Sequence, residues 1–166
     1  LSVRVVLRIP RPELAERAKP FERFSDEALA LLDDLTDTMR ATSHSVGVAA
    51  TQLGVPRRAF VVDVSGHPKA NICHGLIELI NPELVWAEGS VVGREGCMSV
   101  PELTGDVARP ARLAVRGIGR DGRERLIETD AFEARALAHE LDHLDGLVFL
   151  DRLVASERVF PRKTWR

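Results

Sequence analysis

Asp130-Ala131-Phe132-Glu133-Ala134-Arg135-Ala136-Leu137-Ala138-His139-Glu140-Leu141-Asp142-His143-Leu144-Asp145-Gly146 is the stretch around which the rest of the chain is read. Ala134, Leu137, Leu141 and Leu144 recur at helical spacing, Asp130 with Glu133 three residues on makes a capping-box-like start, and Gly146 stands where helices commonly stop. The sequence therefore predicts a helix over residues 130–145. Inside it His139 and His143 are four residues apart, so their imidazoles leave one face about one turn, or ~6 Å, apart. That spacing suits two ligands on one metal ion.

Glu140 follows the first of these histidines and is placed to reach a metal-bound water rather than the metal, the position of a general base. A surface helix that happens to carry two His and one Glu would look the same, so the metal reading needs a third ligand. Upstream, Glu95-Gly96-Cys97-Met98-Ser99 supplies a thiol after an extended segment. As a thiolate, Cys97 would complete a set of one Cys and two His and leave one position open for water, which implies catalysis. Taken alone, a cysteine such as Cys97 is more often a buried small hydrophobe, and a nucleophilic thiol paired with a distant His is a third reading. A third element, Ser45-Val46-Gly47-Val48-Ala49-Ala50-Thr51-Gln52, has small residues that let another backbone approach. It ends in a side-chain amide able to donate to a developing oxyanion. By itself it is an ordinary tight strand entry.

Working outward, residues 25–39 carry Ala28, Leu31, Leu32, Leu35 and Met39 at helical spacing behind Ser25, a good cap, with Asp26 and Glu27 in the first turn. Strands are expected at 59–64, 76–80, 84–87 and 113–118, and Asp121-Gly122 offers a hairpin turn before 125–129. Residues 2–9 read as an extended arm, and 12–18 as a short helix stopped by Pro20. Strands run between two helices without regular βα alternation, so the predicted fold class is α+β.

With 166 residues, 45% of them hydrophobic, the chain is long enough for one buried core, and a single domain over residues 1–166 is expected. A formal net charge of −2 gives no global footprint for nucleic acid, although Arg158, Arg162, Lys163 and Arg166 make the end locally basic. There is no signal-like segment and no run of roughly 18 apolar residues, so neither secretion nor membrane spanning is predicted. Cys73 and Cys97 could close one disulfide at most, which suits a reducing compartment.

Taken together, the three stretches resemble the peptide deformylase family, whose motifs run GxGxAAxQ, EGCxS and HExDH in this order. The likeness extends to Ile9-Pro10, Ala18-Lys19-Pro20, Ile80-Asn81-Pro82-Glu83-Leu84 and Asp142-His143-Leu144-Asp145-Gly146, and so spans nearly the whole chain. It implies antiparallel β-sheets packed around a central HExxH-bearing helix, with a second amphipathic helix near the N-terminus. It further implies a divalent metal on Cys97, His139 and His143, Fe2+ by preference with Zn2+, Ni2+ or Co2+ accepted, and a water activated by the metal and Glu140. The formyl oxygen would be stabilised by the Gln52 amide and the Met98 backbone N–H. Val46 and Gly47 would pair with an extended peptide, while an apolar pocket takes the methionine side chain. The implied substrates are formylmethionyl nascent peptides near the ribosome, met by a monomer or weak dimer in the cytoplasm, or in the mitochondrial matrix of a eukaryote.

The sequence departs from the family pattern at Ser45, which stands in place of the first glycine, at Thr104, where many bacterial members carry arginine, and at Ala138, where most carry glutamine. Phe132, Ala134-Arg135 and the ending Ser156-Glu157-Arg158-Val159-Phe160 look more like the mitochondrial-type branch, which would set Phe132 and Arg135 at the border of the pocket. Cys73, His74, His44 and His67 read as non-catalytic, and Arg109 either holds the loop after Cys97 or is a solvated surface residue. An HExxH endopeptidase is the rival enzyme, but residues 144–166 contain no downstream histidine for a third ligand. A deformylase-like protein that only binds peptide or metal is a second alternative, and a ribosome-associated module using the basic tail is a third.

Overall fold

A computed structural model describes residues 3–70 and 72–163 of the chain. The first helix, α1 (Asp26–Ala41), begins where the sequence predicts: the Ser25 hydroxyl accepts from the Ala28 N–H at 3.4 Å, a cap of the kind that contributes about 1 kcal/mol. Its apolar stripe of Leu32, Leu35 and Met39 is fully buried.

Two antiparallel sheets follow. The larger has the order β1 (Gly47–Ala49), β2 (Ala59–Val62), β3 (Ile77–Glu88), β6 (Arg112–Ile118) and β7 (Glu124–Asp130). The smaller joins β4 (Val91–Cys97), β5 (Val100–Arg109) and β8 (Val159–Pro161). The second helix, α2 (Ala131–Leu144), lies between them. Successive strand residues face opposite ways, and β2 uses both faces. Phe60 and Val62 pack in one cluster with Leu137, Leu141 and Leu144 of α2, while Ala59 and Val61 pack with Leu31, Leu32 and Leu35 of α1. That is why β2 reads as an unbroken apolar run. Phe132, Arg135, Ala136 and His139 of α2 stand along the wall of an open cavity, Ala136 and Phe132 at the border between that cavity and this core.

Several expectations need correction. Residues 12–18 form only a 3-10 turn, Pro12–Ala15, because the chain then straightens toward Pro20. The strands expected at 76–80 and 84–87 are one strand, β3. It passes Asn81-Pro82 through a bulge, with Asn81 at φ 52 and its side chain bonded at both ends to the Phe21 backbone at 2.8 Å. A proline cannot donate to a ladder, and the bulge accommodates it. Asp130 occupies the N-cap position of α2 in an extended conformation, but its side chain does not cap and no capping box forms. Glu133 is occupied instead by the His74 ring at 2.5 Å, the His74 N–H at 2.8 Å and the Thr129 hydroxyl at 2.8 Å.

Residues 3–8 have no regular structure, yet the arm is docked. The Leu7 N–H donates to the Gln52 carbonyl at 2.7 Å and the Ile9 N–H to the Ser99 carbonyl at 2.9 Å. Ser2 and Arg166, which entered the arm and basic-tail readings, lie outside the described residues. No helix among the described residues is long and apolar enough to cross a membrane.

Candidate metal centre

Helical geometry brings His139 and His143 of α2 to a ring-centroid separation of 4.9 Å. Cys97, the last residue of β4, sits at a register shift where the strand turns toward β5, and its Sγ lies 3.3 Å from His143 Nε2. The candidate ligand atoms of Cys97, His139 and His143 all lie within 4.8 Å of one another. Burial alone would push the Cys97 thiol up, but the His143 and His139 rings hold it well below its usual range, which favours the thiolate form. Burial alone would lower His139, but hydrogen bonds to Cys97 and Glu95 hold it well above its usual value. The buried sulfur is stabilised by positive charge, which the proton held on the facing imidazole supplies in this arrangement, and a divalent cation can take the place of that proton. Thiolate sulfur and imidazole nitrogen suit a borderline-soft metal, so the residues fit the ion that the sequence implies.

Glu140 is 4% exposed, and its Oε1 has no hydrogen-bond partner among the described residues. Burial pushes its carboxyl up to about 7, against the pull of His139 and His143. A nearly neutral-range, buried carboxylate with one oxygen uncommitted is what a proton-shuttling base requires. Gln52 is also buried. Its Oε1 accepts from the Ala49 N–H at 3.0 Å, which fixes the amide so that Nε2 donates to Ser99 Oγ at 3.0 Å and lies 3.5 Å from the Cys97 sulfur. The amide N–H pair thus points into the same corner as the thiolate.

An open cavity of about 1020 Å³ runs over these groups. Val46, Gly47, Met98, Phe132 and Arg135 all line it, together with Gln52, Cys97, His139 and Glu140. His143 is wholly buried behind them. Among the described residues β1 is the edge of its sheet and pairs with β2 alone, which leaves its other side for an added strand. His44 and His67 also line the cavity, with His67 stacked on Phe132 at 4.3 Å, and neither is in the ligand cluster. Cys73 packs against the core and His74 is taken up by Glu133.

The solvated reading of Arg109 does not survive. Its guanidinium, 5% exposed, spans both oxygens of Glu95 at 2.9 and 3.0 Å and Asp142 Oδ2 at 2.5 Å. Glu95 Oε1 in turn accepts from His139 Nδ1 at 2.8 Å, the carboxylate–histidine arrangement that orients a metal ligand. Burial alone would raise Glu95, but hydrogen bonds from His139 and Arg109 hold its carboxyl far below the usual range. The sequence left Arg109 open between holding the loop after Cys97 and lying in solvent; the structure bears out the first, and adds the Glu95 and Asp142 partners that the sequence reading did not name.

The departure at Ser45 costs less than it suggests. Ser45 is not among the described residues with positive φ, whereas His44 beside it is, at 64°, so the missing glycine leaves no strain at position 45. Thr104 pairs with Phe160 across β5 and β8, and the tail so held brings Arg162 Nη2 to 3.5 Å from the Cys97 carbonyl.

Thiolate, paired imidazoles, a buried carboxylate and an amide donor beneath an edge strand form a site for hydrolysing an amide at the end of an extended peptide. The chain matches the polypeptide deformylase family over residues 3–159. It is 42% identical over 154 residues to the peptide deformylase of Thermoanaerobacter pseudethanolicus, covering 93% of this chain and 91% of that one. The crystal structure of a peptide deformylase from Legionella pneumophila superposes with a TM-score of 0.83 at 35% identity, over 94% of this chain and 89% of that one. The Ehrlichia chaffeensis peptide deformylase in complex with actinonin gives 0.85 at 33% identity, over 95% and 92%. The fold, the cluster on α2 and β4, and these likenesses agree: the chain belongs to the polypeptide deformylase family.

Proposed function

We propose that the whole chain, residues 1–166, acts as one catalytic unit in which Cys97, His139 and His143 hold Fe2+, with Glu140, Gln52 and the Met98 N–H performing the chemistry. The reaction is the metal-dependent removal of the N-formyl group from the formylmethionine that starts a new polypeptide. When bound, the divalent cation supplies Lewis acidity and a hydroxide nucleophile near neutral pH. Glu140 accepts the proton given up by the attacking water, whose oxygen adds to the formyl carbon. The Gln52 amide and the Met98 N–H donate to the formyl oxygen as it gains charge. The C–N bond then breaks, Glu140 returns its proton to the departing amine, and formate and a free amino terminus leave.

Val46 and Gly47 align the peptide along the open edge of β1, and the methionine side chain lies against Phe132 and Arg135. The choice of iron rests on the family likeness, because ligand softness alone does not separate it from zinc. Formylated nascent chains met near the ribosome in the cytoplasm, by a monomer or weak dimer, are the proposed setting. Phe132, Ala134 and Arg135 on α2 are the residues that favour placement in the mitochondrial-type branch. The observation that carries the mechanism is the Glu140 carboxylate, buried with Oε1 uncommitted beside the Cys97–His139–His143 cluster. Formate release from a formyl-Met tripeptide by iron-loaded protein, lost with a chelator and restored by iron, is the expected result. Silence from folded, metal-loaded protein would favour a relative that only binds peptide or metal.

A further inference from the structure

Phe132, Arg135, Ala136 and His139 share one face of α2 at spacings of three, four and seven, so a side chain running from the metal ligand along the helix meets Arg135 one turn away. An arginine is unexpected on the wall of a pocket for an apolar side chain. Its guanidinium lies across β4: Nη1 donates to Glu95 Oε2 at 2.6 Å and to the Val107 carbonyl at 3.0 Å, and Nη2 donates to the Val91 carbonyl at 2.6 Å. A guanidinium carries five N–H donors, and these bonds use Nη1 fully and Nη2 once. Among the described residues nothing accepts from Nε–H. The group is fixed in place by Gly93, where an added Cβ would stand 2.9 Å from Arg135 Cζ. Behind Arg135 and Phe132 is a second cavity of about 260 Å³, lined by Val91, Val92, Gly93, Pro110 and Ala111, with both of those side chains on its border. Arg135 and Phe132 therefore form a wall shared by the two spaces, and His67 stacked on Phe132 stiffens that wall.

We infer that Arg135 is a specificity-determining residue: its guanidinium gives the side-chain pocket a polar wall that favours a formylated residue with a hydrogen-bond acceptor near its tip over an all-carbon chain of equal length. The inference rests on the deformylase reading. A thioether sulfur is a weak acceptor and a sulfoxide oxygen a strong one for the Nε–H and the second Nη2–H that these bonds leave over, whereas a methylene pressed against those two donors would strip them of water and return nothing. The ligand class is thus methionine and its sulfoxide, set against norleucine.

The experiment compares kcat/KM for formyl-Met, formyl-methionine-sulfoxide and formyl-norleucine tripeptides of otherwise identical sequence, using iron-loaded wild type, Arg135→Met, Arg135→Lys and Gly93→Ala. Ratios between substrates do not depend on the fraction of active enzyme, so partial loss of metal in a variant does not blur them. Wild type is expected to favour the sulfoxide and Met over norleucine, and Arg135→Met to reduce both preferences about fivefold or more, the size of one lost hydrogen bond. Arg135→Lys keeps the charge without the fork and is expected to fall between, which keeps the test in force if Arg135→Met does not fold. Gly93→Ala pushes the guanidinium into the cavity and is expected to slow all three substrates relative to a formyl-Ala tripeptide of the same sequence, run as a fourth substrate for this variant and wild type. Turnover with ratios unmoved in Arg135→Met, or in Arg135→Lys if only that variant folds, overturns this inference alone. No formate from any of the peptides with wild type overturns the deformylase reading and this inference with it.

Discussion

A Cβ on Gly47 would stand 2.6 Å from Oε2 of Glu140. The edge strand proposed to receive the peptide and the carboxylate proposed as base are therefore in direct contact, and position 47 has room for hydrogen only. Gly47→Ala is expected to displace the carboxylate and lower kcat about 10²-fold, the scale of a misplacement near 1 Å, while metal content stays at the wild-type level. Unchanged kcat would mean that Glu140 moves without consequence and is not the base.

Substituting Glu140 itself separates binding from chemistry. Glu140→Ala should retain metal and lose at least about 10²-fold in turnover, whereas Cys97→Ala or His143→Ala should lose both. Elemental analysis after dialysis, alongside formate release, reads the two effects. A fully active Glu140→Ala enzyme would exclude the proposed base.

Arg109 bridges acids from two motifs. Arg109→Met leaves Glu95 with Arg135 and His139, and Asp142 with Arg152, but removes the cation between them. Breaking a buried pair of this kind costs about 3 kcal/mol or more, measurable as a lower urea midpoint. Looser orientation of His139 should also weaken metal affinity by about 10-fold to 100-fold. Wild-type stability and wild-type metal retention together would show that the bridge is incidental.

Thr36 of α1 and Arg120, in the turn after β6, both donate to Glu78 on β3, at 2.8 and 2.6 Å. Burial alone would push the Glu78 carboxyl up, but the hydrogen bonds from Arg120 and Thr36 outweigh it and leave the group below its ordinary 4.5. A carboxyl depressed by folding adds stability that is present above its unfolded value and lost as pH falls through the folded one. Glu78→Gln should therefore flatten the fall in unfolding midpoint between about pH 5 and pH 3 and converge with wild type at the acid end. Parallel curves for the two proteins would remove Glu78 from the account of acid sensitivity.

The helix α2 was legible because its periodicity, stop signal and ligand spacing agree within one window, and α1 because Ser25 and its apolar stripe do. The hairpin of β4 and β5 was not legible as strands: Gly93, Gly96 and Pro101 interrupt the pattern, and Arg94, Glu95, Asp106 and Arg109 occupy positions where a strand detector expects apolar residues. Those charges are satisfied by one another or by α2 and the tail, at separations from 12 to 52 residues that no local pattern exposes. The metal ligands were readable from residue type and spacing. Their support by Glu95 and Arg109 was not, since burial decides whether an arginine is a solvated surface group or a brace.

The arm at residues 3–9 carries no chemistry of its own, yet Leu7 and Ile9 grip the carbonyls of Gln52 and Ser99, the two residues that hold each other across the thiolate. Like a splint laid over a joint, it ties the first motif to the second while Arg4, Val5, Val6, Leu7 and Arg8 form part of the cavity wall. Geometry at the oxyanion position is in this sense set partly by the front of the chain, and a loosened arm would be felt as a catalytic defect before it was felt as a loss of fold.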